Sequence, residues 1–422
     1  MTQIDALLGF LGEAVTPFHA VAAMSRRLRD AGFEEVERFD PAAMTAGRGY
    51  YITRQGSSLI AMRAGQGRLD TGLRLVGAHT DSPNLSVKPN PVKGRDGCVQ
   101  LGVDVYGGAL LNPWFDRDLA IAGRVTLLNA SGELCSTLFD SARPVAVVPS
   151  LAIHLDRDAN KERSINPQKD VVPLVMLGDP QQFDFKAWLA ESLTAQDAQW
   201  QDARVMDYEL SLYDVQAPAV AGMDESWITS ARLDNLLSCF AGLSALIDAD
   251  DAEWSMLVAT DHEEVGSAST VGAQGPMLMD ALTALVPEPQ DNQQLRTDSW
   301  MLSVDNAHAV HPNYADKHDD QHKPLLNSGP VIKLNANQRY ASNSESAARF
   351  KALCESCNVP YQSFVMRSDM ACGSTIGPLT AAELGVTTVD VGVATFGMHS
   401  IRELAGADDP HMLATVLTQF YS

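Results

Sequence analysis

Four apolar stretches, each leading into residues that can bind a metal ion, constrain the fold of this chain most. They are LRLVGA, SMLVAT, WMLSV and TTVDVGVATF, and they lead into His79, Glu264, Asp305 and His399 in that order. Near-continuous apolar runs are typical of strands covered on both faces, as in a sheet flanked by helices. Ligands of such sheets collect beyond the carboxyl ends of the strands. The sequence therefore predicts an α/β fold, with a mixed sheet flanked by helices, that gathers these four side chains at one edge.

The adjacent carboxylates of Glu263 and Glu264 sharpen that prediction. Like charges at the end of an apolar stretch raise each other's pKa, so the pair is costly unless a cation neutralises one member. Neighbouring residues point in different directions, which lets Glu264 bind a metal while Glu263 stays free to move protons. An isolated glutamate pair in a loop can also be merely solvated. Asp234 is a fifth candidate ligand at the start of an amphipathic helix, where an aspartate can equally cap free N–H groups.

Two histidines and three acidic residues suit a pair of divalent metal ions. Imidazole favours zinc, and carboxylates can bridge two ions, while cobalt and manganese are compatible with the same ligands. Asp81 lies two residues after His79 and can accept the second N–H of its imidazole. Two bound ions would activate a water molecule near neutral pH. Glu263, outside the ligand set, is then the predicted general base.

Composition excludes several classes of partner. The net charge of −22 disfavours nucleic acid and anionic membranes, and the 45% hydrophobic content is that of a globular protein with a large core. The N-terminal segment lacks the basic region of a signal peptide, and no apolar run is long enough to span a bilayer. The six cysteines are scattered, as expected for reduced thiols. We therefore expect a cytoplasmic protein.

The middle of the chain has a different pattern from the rest. Stretches such as CVQLGVDVY and PVAVVPS are short and separated by Gly, Pro, Asn and Asp, which is typical of an antiparallel, barrel-like module. None of the five candidate ligands falls there. The sequence predicts a discontinuous catalytic domain, residues 1–89 and 225–422, with residues 90–224 as an inserted, mainly β domain for dimerisation or for a lid.

Seven motifs, in the same order, closely resemble those of the aspartyl aminopeptidases: VGAHTDSP, ARLDNLLSC, DHEEVGS, DNAHAVHPNY, GPVIKLNANQRYAS, DMACGSTIGP and GMHSIRE. These enzymes are zinc exopeptidases that remove acidic residues from the N-terminus of peptides. The likeness extends from TPFHAV near the start of the chain to HSIRE near its end. It implies a zinc exopeptidase-like catalytic domain and a homododecamer whose active sites face an interior.

The resemblance also implies how two metal ions per subunit are held. His79 and Asp305 would bind one ion, and Glu264 and His399 would bind the other. Asp234 would bridge the two ions. Zinc is the metal that the resemblance favours.

The substrate-binding residues rest on the same resemblance. His308, Lys333 and Tyr340 would help to form the pocket for the first side chain of the substrate, and Asp369 would meet its free amine. His154, in the inserted domain, would reach the active site of a neighbouring subunit and stabilise the developing oxyanion. A basic pocket is also needed physically, because the negative charge of the whole chain repels an acidic substrate at long range.

The sequence thus predicts a metal-dependent aminopeptidase that hydrolyses N-terminal Asp or Glu from peptides, with Glu263 as general base. One alternative keeps the two metal ions and changes the substrate, as in an aminopeptidase for neutral residues, a carboxypeptidase or an amide deacylase. Another is a non-catalytic scaffold that binds peptides or drives assembly. A glycosidase would leave His79 and His399 unexplained, because glycosidases use paired carboxylates and need no metal.

Overall fold

The computed structural model describes residues 2–422, with Asp70 described by its backbone alone. The helices and strands of these residues are numbered in chain order. The helices are α1 Gln3–Glu13, α2 Pro17–Asp30, α3 Ala159–Glu162, α4 Phe185–Gln196, α5 Leu233–Asp248, α6 Met277–Leu285, α7 Pro289–Asp298, α8 Ser344–Ser356, α9 Ile376–Leu384 and α10 Asp409–Tyr421. The strands are β1 Glu34–Glu35, β2 Gly49–Arg54, β3 Ser58–Arg63, β4 Arg74–His79, β5 Asn84–Arg95, β6 Cys98–Tyr106, β7 Leu119–Leu128, β8 Leu134–Asp140, β9 Leu174–Leu177, β10 Arg204–Asp214, β11 Ala219–Ala221, β12 Trp227–Ser230, β13 Ser255–Thr260, β14 Trp300–Val304, β15 Ala307–His308, β16 Val331–Leu334, β17 Gln362–Val365, β18 Thr387–Gly392, β19 Ala394–Phe396 and β20 Glu403–Gly406.

The described chain forms two compact units. The first unit comprises the residues up to Ser82 together with residues 218–398 and 403–422, so it is built from three separate pieces of the chain. The second unit comprises residues 83–217 and 399–402.

The first unit is built on a mixed sheet with the strand order β1-β2-β3-β13-β4-β14-β18-β16-β17. At its centre, β13, β4, β14 and β18 run parallel to one another. A smaller sheet of the same unit has the order β11-β12-β20-β19-β15. The second unit contains a separate antiparallel sheet with the order β8-β7-β10-β5-β6-β9. The predicted fold class, a mixed α/β sheet with a separate β-rich module, is confirmed.

The central strands are buried on both faces, which explains their near-continuous apolar sequences. In β4, Val76 packs into the core that contains α5 and α10, whereas Leu75 packs into the core on the opposite face with α6. In β13, Leu257 and Val258 divide between the same two cores in the same way. Because successive side chains of a strand point to opposite faces, each face needs its own apolar residues.

The second unit has its own hydrophobic core. Side chains of its sheet pack with Phe185, Leu189 and Leu193 of α4. Arg117, just before β7, has its Nη1 3.0 Å from Oδ2 of the buried Asp214 at the end of β10. A core that is separate from those of the first unit is what an independently packed module requires.

None of the helices in the described residues 2–422 is both long enough and apolar enough to cross a membrane.

Candidate metal centre

The centre begins where the parallel strands of the first unit end. His79 is the last residue of β4, and it pairs in register with Thr260 at the end of β13. Asp305 follows the end of β14, which runs parallel to β4. The carboxyl ends of parallel strands meet at one edge, so the topology itself brings the imidazole and the carboxylate together.

Asp234 reaches the same edge from the start of α5. Its φ of −83° and ψ of 109° are not helical, and its peptide bond with Asn235 is cis. The backbone N–H of Asp234 donates to the buried carboxylate of Glu403 at 2.9 Å, and its carbonyl oxygen accepts from the Ser82 hydroxyl at 2.6 Å. Asn235 donates from Nδ2 to the carbonyl oxygen of Val304 at 2.8 Å. The start of α5 is therefore tied directly to the end of the strand that precedes Asp305.

Glu263 and Glu264 begin a 3₁₀ turn after β13, and Asp81 orients both of them. The N–H of Glu263 donates to Oδ1 of Asp81 at 3.1 Å, and the N–H of Glu264 donates to Oδ2 at 3.0 Å. The ring of His79 has Nδ1 3.0 Å from the carbonyl oxygen of Asp81 and 3.3 Å from its Oδ1. Asp81 was predicted only as the partner of the imidazole. In the structure its fully buried carboxylate also clamps the backbone of the glutamate pair.

The metal-binding atoms of these residues lie close together around His79. Its Nε2 is 3.4 Å from Oδ1 of Asp234, 3.6 Å from Oδ1 of Asp305 and 4.0 Å from Oε2 of Glu263. One ligand atom from each of His79, Asp234 and Asp305 lies within 4.8 Å of the others, and the same holds for His79, Glu263 and Glu264. Nitrogen and carboxylate donors at this spacing, mostly buried, are a set that zinc accepts.

The electrostatics of the cluster favour a bound cation. Burial alone would lower the pKa of His79, but the carboxylates of Asp234, Asp305 and Asp81 outweigh it and hold the pKa well above its usual value. Burial raises the pKa of Glu263 to about 7, against the opposing effect of the His79 charge and with support from the charges of Asp305 and Asp234. Burial is the main cause of the shift of Glu263, and the neighbouring carboxylates cause that of His79. A divalent cation would relieve both.

Asp305 offers the cluster a ligand atom that lacks a hydrogen-bond donor among the described residues. Oδ1 of Asp305 is buried and has no hydrogen-bond partner among the residues that the structure describes. A buried carboxylate oxygen without a partner is costly, and coordination of a metal removes that cost. The residues present therefore fit the metal that the sequence predicts.

Lys333 lies beside the cluster and is only 2% exposed. Its Nζ donates to Oδ2 of Asp305 and to the carbonyl oxygen of Asn306, both at 3.2 Å, and lies 5.3 Å from the ring centroid of Tyr340. Burial raises the pKa of the Asp305 carboxyl, but the charges of Lys333 and His79 more than reverse this and lower it. Burial and a hydrogen bond with Cys372 raise the pKa of Tyr340. The lysine and the tyrosine predicted for the substrate pocket thus contact each other next to a candidate ligand.

The other predicted substrate residues have varied surroundings. His308 in β15 is half-buried, and its ring lies 5.7 Å from that of Phe364. Burial first, and then the charge of Lys333, lower its pKa. Asp369 is exposed, and its Oδ2 lies 2.7 Å from Nη2 of Arg367. No described contact links Asp369 to the carboxylate cluster.

Two predicted residues belong to the second unit. His154 is exposed in a segment outside helices and strands, between the exposed side chains of Leu151 and Leu155. His399 follows β19 by three residues and groups with the second unit, where its Nδ1 lies 3.1 Å from the carbonyl oxygen of Gly108.

Sequence reasoning missed two residues that hold the cluster in place. Glu403 accepts from the backbone of Asp234, and Asn235 joins Asp234 to the strand before Asp305. Glu403 ends the GMHSIRE motif and Asn235 lies inside ARLDNLLSC, so both motifs contained the signal. A sequence alone does not show that a carboxylate accepts a backbone N–H in another segment.

Comparison with known proteins gives consistent matches over almost the whole chain. The family described as Aminopeptidase I zinc metalloprotease (M18) matches residues 10–421. A probable M18 family aminopeptidase 2 from Ectopseudomonas mendocina (strain ymp) is 55% identical over 421 residues, which cover 99% of this chain and 98% of that protein. Among solved structures, a chain of the Ape4 and Nbr1 complex superposes with a TM-score of 0.94 at 34% identity, covering 99% of this chain and 85% of that one. The S. cerevisiae mApe1 dodecamer superposes with a TM-score of 0.85 at 26% identity, covering 99% and 96%.

Proposed function

The chain belongs to the M18 family of zinc metallo-aminopeptidases, and we propose that it removes N-terminal aspartate or glutamate from peptides. The observation that carries the proposal is the buried cluster around His79, with a cationic Lys333 bonded to one of its carboxylates. Family membership accounts for peptide hydrolysis. The preference for acidic residues is a separate part of the proposal, and it rests on the residues of the substrate pocket.

We assign two metal ions, both zinc, to each subunit. His79 and Asp305 would hold one, Glu264 and His399 the other, and Asp234 would bridge them, as the resemblance to aspartyl aminopeptidases implies. Bound ions of this kind polarise the carbonyl of a peptide bond and lower the pKa of a water molecule. The fit of Asp305, whose buried Oδ1 has no hydrogen-bond partner among the described residues, supports the first of these two positions.

Glu263 is the proposed general base. A base must be deprotonated before reaction and must be able to hold a proton afterwards, so its pKa should lie near the working pH. Burial of Glu263 raises its pKa to about 7 in the absence of a cation, and a nearby cation would bring the value down again. The hydrogen bond from its backbone N–H to Asp81 holds the backbone that carries this side chain. Glu263 would take a proton from the attacking water and pass it to the leaving amine.

Lys333 is the proposed anchor for the acidic side chain of the substrate. An ammonium group has three N–H donors, and the described contacts of Lys333 use two of them. The third is then available to a substrate carboxylate, and Tyr340 and His308 would form the walls of the pocket. A neutral side chain would offer no acceptor to this third N–H donor, which is the physical basis of the proposed selectivity. Asp369 is assigned to the free amine of the substrate.

We also propose that the active enzyme is an assembly of subunits. The mApe1 relative is a dodecamer, and a homododecamer is the state that the resemblance implies here. The second unit would act in dimerisation or as a lid. His154 would stabilise the oxyanion in the site of a neighbouring subunit, and its position in an exposed, apolar segment supports such a contact.

The test is hydrolysis of Asp-, Glu- and Leu-amide substrates by the purified protein, before and after chelation and after zinc is restored. We expect activity that prefers the acidic substrates and that requires zinc. Lys333→Ala should reduce hydrolysis of the acidic amides more than of the Leu amide. Lys351→Ala is a matched control, because Nζ of Lys351 also lies over a tyrosine ring, 5.8 Å from the centroid of Tyr361, in the helix α8.

Other outcomes select the alternatives. Zinc-dependent activity that prefers the Leu amide would identify an aminopeptidase for neutral residues and remove the role of Lys333 as anchor. Protein that binds zinc and hydrolyses none of the amides would favour a non-catalytic scaffold. The set of ligands together with a separate buried glutamate argues against a scaffold, since peptide binding alone has no use for a base.

A further inference from the structure

We propose that Asp390 is a positioning residue, which holds the candidate substrate pocket against the strand that leads to Asp305. This inference rests on the proposed function, because it concerns the same pocket. Asp390 lies in β18 and is fully buried. Asp390 is neither a proposed metal ligand nor the proposed general base.

The carboxylate of Asp390 joins three other segments of the first unit. Its Oδ1 accepts from the hydroxyl of Ser303 in β14 at 2.7 Å and from the hydroxyl of Thr375 before α9 at 2.6 Å. Its Oδ2 accepts from the backbone N–H of Ala341 at 2.6 Å. The backbone N–H of Asp390 in turn donates to the hydroxyl of Ser342 at 2.9 Å.

Each of these segments carries a residue of the metal centre or of the pocket. Ser303 lies two residues before Asp305, and Ala341 follows Tyr340 directly. Thr375 precedes α9 and ends the segment that contains Asp369. A single carboxylate is therefore bonded next to the candidate metal ligand, next to the tyrosine that contacts Lys333, and at the end of the segment assigned to the substrate amine.

The surroundings of Asp390 are closely packed. A Cβ atom at Gly377, in the first turn of α9, would overlap the carboxylate, so the helix packs directly on it. Burial raises the pKa of Asp390, and the charge of Lys333 and the hydroxyls of Ser303 and Thr375 oppose that rise. Burying a carboxylate is costly in a fold that could use an apolar residue there. A role in fixing the pocket explains why the carboxylate is present.

A second buried carboxylate in the first unit shows the difference between positioning and simple support. Asp409 is also fully buried, and it accepts the backbone N–H of Asn327 at 2.7 Å and of Gly329 at 3.1 Å. These residues carry none of the proposed roles. Asp409 is therefore the matched control for a buried carboxylate that binds backbone N–H groups.

Replacement of Asp390 by Asn disturbs these contacts whichever way the amide is turned. In one orientation the NH₂ group faces the N–H of Ala341, donor against donor; in the other the hydroxyls of Ser303 and Thr375 must turn to accept from it. Because the hydroxyls can compensate in part, the loss corresponds to about a three- to tenfold change in an equilibrium. We expect Asp390→Asn to raise the KM of the preferred substrate about three- to tenfold, with kcat and zinc content close to those of the wild type.

The experiment compares kcat, KM, zinc content and thermal stability for wild type, Asp390→Asn and Asp409→Asn, on the Asp and Leu amides. Both variants should lose stability, but only Asp390→Asn should raise KM. An unchanged KM in Asp390→Asn would overturn the proposal. Thr375→Val is a milder variant that removes one donor from the same carboxylate. Thr375→Val should raise KM by a smaller factor than Asp390→Asn does. If Asp390→Asn does not fold, an unchanged KM in Thr375→Val overturns the proposal.

Failure of the proposed specificity would look different. A wild-type enzyme that prefers the Leu amide would refute the acidic pocket. The comparison of KM between wild type and Asp390→Asn on the Leu amide would still decide the role of Asp390. If the wild type has no activity, its affinity for free aspartate and free leucine is measured by calorimetry with zinc present. The proposal is overturned if wild type and Asp390→Asn bind these amino acids with equal affinity. It is also overturned if the wild type binds neither amino acid.

Discussion

Replacement of Asp81 by Asn tests the clamp on the glutamate pair most directly. The carboxylate accepts the N–H of Glu263 with one oxygen and the N–H of Glu264 with the other. Asn has almost the same shape but only one acceptor oxygen. Whichever way the amide is turned, one of the two backbone N–H groups faces another donor.

The size of the effect follows from the burial of this contact. Asp81 is fully buried, so water cannot replace the lost acceptor. An unsatisfied buried N–H group costs about 1–3 kcal/mol. Since about 1.4 kcal/mol corresponds to a factor of ten, the correct arrangement of the glutamates should become roughly five- to 150-fold less favourable. Loss of a group that orients metal ligands typically lowers metal affinity or activity by about 10–100-fold, which agrees.

The assay is zinc affinity, measured by competition with a chelator, together with kcat/KM on the preferred substrate. We expect both to fall in Asp81→Asn by about tenfold or more. Asp214→Asn is the control, because Asp214 is a buried carboxylate of the second unit that pairs with Arg117. It should lose stability while zinc affinity stays unchanged. Zinc affinity and kcat/KM of Asp81→Asn within twofold of the wild type would refute the clamp.

Four further predictions concern the same cluster. Glu263→Gln should retain zinc while kcat falls about 10²–10⁴-fold, measured by metal analysis and steady-state kinetics, because the amide cannot accept the proton. In the metal-free protein, the folded-state pKa of Glu263, about 7 against an ordinary 4.5, favours the protonated form. Its stabilising contribution is therefore present below pH 4.5 and is lost as the pH rises through 7, so Glu263→Gln should flatten that part of the profile of melting temperature against pH. Chelation should lower the melting temperature, and zinc at 100 times its Kd should add about 2.7 kcal/mol to the free energy of unfolding. A melting temperature that does not change when zinc is added would contradict the site. Glu403→Gln should weaken zinc binding only modestly, because its amide oxygen can still accept the N–H of Asp234, whereas Glu403→Ala should weaken it more; equal affinities in both variants and the wild type would contradict this role.

The fold could be predicted from the sequence because the central strands have a distinctive, nearly continuous apolar pattern. β4 and β13 must supply apolar side chains to two cores at once, and this leaves the four inner residues of each strand, 75–78 and 256–259, without a polar side chain. Where such a run stops at His79, the end of the strand and the position of the side chain are both defined. The parallel order of β13, β4 and β14 then follows from the tendency of such strands to lie in the interior of a sheet.

The contacts within the site were harder to predict. Asp81 accepts two backbone N–H groups from the turn after β13, which is far from it in sequence. No local sequence pattern predicts such a contact. Lys333 was predicted as a basic group for the substrate, and its bonds to Asp305 and Asn306 only became visible in three dimensions. The assignments of ligands and of pocket residues remain predictions until metal analysis and kinetics test them.

The discontinuity of the first unit has a consequence for how the enzyme is made. Asp81 and Glu263 are 182 residues apart in the chain, and all of residues 83–217 are translated between them. At about 5–20 residues per second, the ribosome needs roughly ten to forty seconds to pass from one to the other. Until the ribosome reaches Asp234, His79 is the sole member of the ligand set that has been synthesised, and His399 follows only near the end of the chain. The supply of zinc in the cell therefore acts on the nearly complete polypeptide, and residues 83–217 can begin to fold before any metal is taken up.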